Sequence, residues 1–417
     1  MNNHQKLIAS NIKSSARKNV RDANYKKTKN LNEHLQRLET LELVLTVVGT
    51  MNAGKSTCIN AIVGRNILPN RNRPMTTLPT LIRHKKGIIN PILYFSKIAP
   101  IQRLIGKIST ALNRASVVRL NIIATDVELA QLTTRIRRGF IMKNRYKGEN
   151  NIFLFLKNLN DLVRLAVIFK IEFPFDEYKI LGDFPLIEVE FLHLSRFDEL
   201  GSKGNLALLD TPGFNEAGQE ENLGKIFREQ LRSASTVLAV LDYTQLKSES
   251  EADLLRELQA IASYSEGRMF ALVNKFDRKD SNSDDAAATI QYVSRNLLHG
   301  IVPQDRIFPV SGELASLSQR AEVTLKQKGS LGWSEGKNKD WRDDFGEKAF
   351  GRRYPKEINN KEAVQAACQA LWEESGFEQP LKSVIHFSQV SALQFAQIFS
   401  LDQLQENANM QEELLPN

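Results

Sequence analysis

An apolar run, LELVLTVVG at residues 41–49, passes directly into Gly49-Thr-Met-Asn-Ala-Gly54-Lys55-Ser56 and then into TCINAIVG, which has the composition of a helix. Nothing else in the chain restricts its fold so tightly. A continuous apolar run of this length, ended by glycine, is a strand buried on both faces of a parallel sheet. A glycine-rich turn between such a strand and a helix forms a concave nest of backbone N–H groups that accepts phosphate oxygens. Gly49 and Gly54 let the backbone approach those oxygens with no Cβ in the way, and the main chain of Met51, Asn52 and Ala53 lines the turn. Lys55 is expected to set its charge against the β- and γ-phosphates, with Ser56 offering its hydroxyl to Mg2+ and Thr57 beside it in the same phosphate site.

Further buried-strand runs follow at LALLD (206–210), TVLAVLD (236–242), MFALVNK (269–275) and RIFPVS (306–311), separated by helical stretches such as SEADLLRELQAIAS (250–263). This alternation predicts an α/β fold of the P-loop NTPase type, with a doubly wound, mostly parallel sheet and flanking helices. Residues 79–96 suggest two strands around a turn at Gly87 to Pro91, and LIEVEFLHL (186–194) another strand. Between them, residues 97–180 read as a mainly helical insertion. Residues 315–360 are polar and rich in Gly, Lys and Arg, which predicts a helix plus long surface loops around Trp333 and Trp341. The domain so outlined runs over 31–390, opened by a helix at 30–40 and followed by a short helical tail, 391–417, with breaks expected near Gly376 and Pro380.

Ligands of open α/β sheets bind beyond the carboxyl ends of the strands, and three later motifs fall at such ends. Asp210-Thr211-Pro212-Gly213 closes one run: Asp210 is expected to hold Mg2+ and Gly213 to sense the γ-phosphate. Asn274-Lys275-Phe276-Asp277 closes another. The Asp277 carboxylate can accept from guanine N1–H and the 2-amino group, a donor pair that adenine lacks, while Asn274 braces the loop and the Lys275 stem covers the base. Ser311-Gly312 closes a third, with loop amides in reach of guanine O6. In the loop after the phosphate-binding helix, Thr76 is the expected switch threonine, completing the magnesium shell and sharing catalysis with Lys55; Thr77 is the alternative. Cys58, one turn into the helix, is expected in the core rather than as a nucleophile.

Composition narrows the classes further. An apolar share of 42% and a charged share of 25% suit a soluble globular protein, and no eighteen-residue apolar run is present to span a membrane. Lys6, Lys13, Arg17 and Lys18 interrupt any signal-peptide core. Two cysteines do not make a disulfide framework, so a cytoplasmic setting is expected. The net charge of +8 is concentrated in a polar leader, residues 1–30, which also carries Arg21, Lys26, Lys27 and Lys29 against Asp22. That leader is either a solvated arm or a contact for membrane or nucleic acid.

With these motifs in place, the chain resembles the bacterial branch of the dynamin superfamily. The resemblance rests on GTMNAGKST (49–57), LPNRNRPMTTLPTLIRH (68–84), NDLVRLA (160–166), LLDTPG (208–213), LDYTQLKS (241–248) and LVNKFD (272–277). It implies a GTPase that binds GTP with Mg2+, hydrolyses it to GDP and phosphate, and forms a homodimer across the nucleotide face. The alternative is a GTP-gated switch or scaffold with little hydrolysis, associated with the chromosome or its replication. Phe214 follows Gly213, and Met51 precedes Asn52, so neither position at which relatives carry a water-orienting glutamine has one. The short tail leaves no stalk in the sequence, so a stalk-bearing partner and no self-assembled filament are expected. A sliding clamp is not expected as a partner, because the leader offers only Gln5-Lys6-Leu7 with no aromatic residue after it.

Overall fold

The computed structural model describes residues 42–49, 52–69, 78–192, 205–211, 234–246, 267–280, 284–334 and 339–387, with isolated residues between. The leader, the 30–40 helix, most of 250–263 and the 391–417 tail lie outside the described residues, as do Met51, Thr76, Thr77 and Gly213.

Strand β1 (Glu42–Gly49) is central because it is apolar on both faces. It pairs in parallel with β6 (Asn205–Asp210) on one side and β7 (Thr236–Asp242) on the other. The whole sheet has nine strands among the described residues, in the order β4-β3-β5-β2-β6-β1-β7-β8-β9, where β8 is Met269–Asn274 and β9 is Ile307–Pro309. From β6 to β9 every pairing is parallel, and those strands are the ones whose apolar runs are unbroken. The register sets Val47 beside Asp210, Gly49 beside Val240 and Asp242 beside Asn274. The carboxyl ends of four strands therefore finish along one rim.

The other half of the sheet is mixed and corrects the local expectation. Strands β2 (Thr80–His84) and β3 (Ile92–Tyr94) do flank the turn at Gly87, yet they do not pair with each other. Strand β5 (Leu186–Val189) lies between them, parallel to β2 and antiparallel to β3, so that Ile187 sits between Ile82 and Leu93. Strand β2 runs antiparallel to β6 with Thr80 beside Asp210, which brings the chain back to the same rim just after the switch segment.

Helices α1 (Lys55–Val63), α2 (Ala99–Asn113), α3 (Val117–Ala124), α4 (Val127–Arg137) and α5 (Glu149–Phe169) pack on the larger core. The insertion is helical as expected, with one addition: β4 (Arg145–Lys147) pairs with β3 at the sheet edge. Its α4 starts on Asp126, whose carboxylate accepts from the Glu128 and Leu129 amides and pairs with Arg164 of α5. Within the 97–180 stretch, then, helices α2 to α5, of which α4 has a side-chain cap, hold one apolar face around Phe95, Phe155 and Tyr178.

Residues 315–360 are mostly helix rather than long loops. After α6 (Ala286–Tyr292) and β9, α7 (Gly312–Lys328), α8 (Trp341–Phe350) and α9 (Lys361–Glu374) enclose a separate apolar cluster containing Leu314, Phe345 and Leu371. Polarity misleads here because each helix buries a narrow stripe and exposes the rest. Trp333 and Trp341 pack back on this cluster. The Trp333 indole donates to Asp343 at 2.9 Å, and Arg320 lies over the Trp341 ring. After α9 the chain turns at Gly376 (φ 68°), and a new helix begins at 378, so Pro380 falls in a first turn, where proline costs no hydrogen bond.

Candidate functional site

The turn after β1 wraps the start of α1. Gly49 has φ 152°, and a Cβ there would lie 2.3 Å from the Val240 carbonyl oxygen, so β1 and β7 can pair this closely only at glycine. Asn52 and Gly54 take positive φ (64° and 88°), which curls the turn so that its amides face inward. Gly54 is the N-cap of α1, and no side chain caps it. The Lys55 side chain is 7% exposed and donates from Nζ to the Gly49 carbonyl at 2.9 Å, bridging the mouth of the turn. Ser56 and Thr57 follow in the first helical turn, both half-buried.

Asp210 ends β6 beside Val47, 2% exposed, and Thr211 Oγ1 donates to the Val47 carbonyl at 2.7 Å. The structure thus gathers Gly49, Asn52, Ala53, Gly54, Lys55, Ser56, Thr57 and Asp210 at one rim. A hydroxyl and a carboxylate are hard oxygen donors of the kind Mg2+ takes, together with phosphate oxygens and water. No cluster of three or more His, Cys, Asp or Glu gathers among the described residues.

The base-side motif meets the phosphate turn through one residue. Asn274 Nδ2 donates to the Ala53 carbonyl at 2.8 Å, and its Oδ1 accepts from the Gly312 amide at 2.9 Å. A Cβ on Gly54 would sit 2.2 Å from that Nδ2, so glycine is required where the Asn274 amide crosses. Lys275 adopts φ 63°, and its Nζ pairs with Asp242 Oδ2 at 2.5 Å. Asp242 is 2% exposed, and its other oxygen accepts from the Thr244 amide and hydroxyl. Asp242 had a signal in the sequence, an aspartate followed two residues later by threonine at a strand end, but the spacing does not show its partner.

Asp277 Oδ2 pairs with Lys348 Nζ of α8 at 3.0 Å. Its Oδ1 is buried with no hydrogen-bond partner among the described residues. Burial pushes this carboxyl up; the neighbouring Ser311 hydroxyl and the Lys348 ammonium outweigh it and hold it below the usual carboxylate range. Lys348 carries no sequence signal at all. Ser311 caps α7 by accepting from the Leu314 amide, and its own amide donates to the Ser375 carbonyl at 2.8 Å, so the turn after α9 braces the Ser311-Gly312 loop. Gln319 of α7 donates to the Ala61 carbonyl of α1, locking the helices that follow the base loop and the phosphate turn. Cys58 is fully buried, and burial pushes its thiol well up, which suits a packing role.

Comparison with known proteins agrees with this geometry. A family model described as the dynamin family matches residues 45–276. The chain is 44% identical over 368 residues to the clamp-binding protein CrfC of Escherichia coli (strain K12), covering 88% of this chain and 49% of that one. It is 23% identical over 297 residues to dynamin-like protein A of Bacillus subtilis (strain 168), covering 69% and 24%. The chain spans about half the length of the CrfC proteins it matches. A solved structure described as an oligomerised bacterial dynamin pair, with a mechanism for sensing and tethering membranes, covers 99% of this chain and 59% of its own at 17% identity and a TM-score of 0.37, too low to carry an argument. CrfC is named for clamp binding, whereas the leader residues Gln5 to Leu7, from which no clamp contact was expected here, lie outside the described residues. Among the described residues no helix is long and apolar enough to cross a membrane.

Proposed function

The chain belongs to the dynamin family, and from that premise we propose that it binds GTP with Mg2+ along the rim of β1, β6, β7 and β8 and hydrolyses it to GDP and phosphate. The observation that carries this reading is the double hydrogen bond of Asn274, which holds the base motif against the phosphate turn at 2.8 and 2.9 Å. A chance glycine turn would have no reason to be tied to an N-K-x-D segment 221 residues away.

The nest from Gly49 to Gly54 takes the phosphates. Lys55 turns its ammonium from the Gly49 carbonyl toward the β- and γ-oxygens, where charge grows as the bond to the leaving oxygen lengthens. Ser56 and Asp210, with Thr76 of the switch segment, would hold Mg2+, which when bound neutralises phosphate charge. Gly213 would report the γ-phosphate through its amide. Water attacks the γ-phosphorus in line, the bond to the β–γ bridging oxygen breaks, and GDP leaves. Asp277 accepts from guanine N1–H and the 2-amino group, and Lys275 is pinned by Asp242 so that its stem flanks the base. The Ser311 and Gly312 amides, expected to reach O6, are already given to the Ser375 carbonyl and Asn274 Oδ1, so the Ser311-Gly312 loop serves to brace the base end.

Because neither glutamine position is filled, a second copy completes the site across the nucleotide face, and groups supplied in trans are worth about 10³–10⁵ in rate. Asp277→Asn tests the base reading: it should weaken GTP and favour xanthosine triphosphate, whose C2 oxygen matches the new amide. An unchanged GTP preference would defeat it. Turnover per molecule should rise with protein concentration, and a concentration-independent rate would defeat the dimer.

A further inference from the structure

The base-side motif contains Asn274, Lys275 and Asp277, yet the cation paired with the Asp277 carboxylate comes from elsewhere in the chain. Lys348 lies on α8, 71 residues on, and its Nζ is 3.0 Å from Asp277 Oδ2. Building on the guanine reading of Asp277, we propose that Lys348 is a positioning residue of the base site, which fixes the Asp277 carboxylate through Oδ2 and leaves Oδ1 aimed for the base edge.

Three observations support this. First, the contact is asymmetric: Oδ2 carries the ion pair, while Oδ1 is buried and receives no hydrogen bond of ordinary geometry among the described residues, the Ser311 hydroxyl being the carboxylate's other stabilising neighbour. A buried carboxylate oxygen without a donor is costly unless a ligand supplies one. A carboxylate oxygen has two lone-pair sites, so the guanine 2-amino group can share Oδ2 with Lys348 while N1–H meets Oδ1. Second, Lys348 is rigidly mounted. Helix α8 starts on a capping box between Asp340 and Asp343, buries Phe345 completely, and sets Gly346 so close to Tyr354 that a Cβ would lie 2.5 Å from its ring. Third, α8 packs on α7, which begins at the Ser311-Gly312 loop, so Lys348 and that loop are carried by two helices that share one apolar cluster.

The charges around the carboxylate give the proposal a readout that a purely structural lysine would not move. Lys348 faces Asp277 from α8 and Ser311 from the start of α7; Arg278 follows it in the chain, paired at 3.8 Å with Glu313 of α7. Burial raises the Asp277 pKa, and Ser311 and Lys348 lower it by more. An ionised Asp277 is needed to accept from guanine. Nucleotide binding should therefore persist as the pH falls through the ordinary carboxylate range, and removing the ammonium should move the acid limb upward.

The test measures binding of fluorescent GDP and GTP, and turnover, on the full chain. Lys348→Gln keeps the stem and removes the charge. It should weaken GDP and GTP equally, by about tenfold for loss of one charge-assisted contact, leave kcat within about twofold, and shift the acid limb to higher pH. Lys348→Arg should restore most of the affinity. In an Asp277→Asn background assayed with xanthosine diphosphate, Lys348→Gln should add less than about twofold. Unchanged or tighter GDP binding in Lys348→Gln overturns the proposal, tighter binding marking Lys348 as a lid that the base displaces. An equal loss in the Asp277→Asn background overturns it too. Failure of Asp277→Asn to favour xanthine overturns the guanine reading instead, so the two failures are distinct.

Discussion

The proposed phosphate end of the site is built mainly on one turn, residues 49–57, with Asp210 beside it, whereas the proposed base end draws on Asp242, Asn274 to Asp277, Ser311-Gly312, Lys348 and Ser375. The first is largely a backbone turn that needs glycines; the second is made mostly of side chains that meet across long separations. Backbone sites are specified by local sequence, because dihedral angles are local. Side-chain sites depend on the sheet register and on helix packing, so they are specified only by the finished fold.

That contrast can be broken or sharpened by substitution. The largest effect is expected from Lys55→Ala, which removes the cation of the phosphate turn. Turnover should fall by about a hundredfold or more, measured by phosphate release at saturating GTP. A variant that keeps a tenth of the rate would show that the charge comes from elsewhere. Next is Gly54→Ala. Its Cβ would overlap the Asn274 amide at 2.2 Å in a backbone with φ 88°, so both ends should suffer together. A loss of about 2–3 kcal/mol in unfolding free energy is expected from strain and overlap, with GDP affinity reduced; a stable variant that binds GDP normally would mean the two ends are not joined there.

Smaller again is Asp242→Asn. It releases Lys275 from a 2.5 Å pair that is 2% exposed on the carboxylate side and 22% on the other. GDP and GMP should both weaken by about tenfold, since a lost charge-assisted contact is worth about 1.5–3 kcal/mol before screening. A loss confined to GDP would move Asp242 to the phosphate end. The smallest effect belongs to Cys58→Ala, a buried packing change of about 1 kcal/mol that should leave turnover within about twofold. The wild-type thiol should resist alkylation at neutral pH, because burial holds it protonated. Rapid modification with loss of activity would contradict that.

The same contrast explains which parts of the fold were legible in the sequence. Strands β1, β6, β7 and β8 announce themselves because a strand covered on both faces must be apolar throughout, and each ends in a motif. The edge half was less legible. Nothing near Gly87 says that β5, almost a hundred residues on, will come between β2 and β3, since pairing partners are a property of the sheet. The polar segment before α9 hid α8 because a helix needs only a narrow apolar stripe, here Phe345. Asp277 was visible as a motif residue; Lys348 was not, because a lysine on an exposed helix face has no spacing that marks its partner.

Asn274 has a consequence for how the ligand is held. A guanine nucleotide is a two-headed ligand, and the value of holding both heads depends on how fixed the span between the two grips is. Here the span is set by one amide that clasps Ala53 with one atom and Gly312 with the other. Whichever head docks first presents the second at a high local concentration, without any search by a loose loop. Guanosine or pyrophosphate alone gains nothing from that clasp. Asn274→Ala would leave both grips in existence and lengthen the leash between them, so the affinity of GDP should fall toward that of its separate halves.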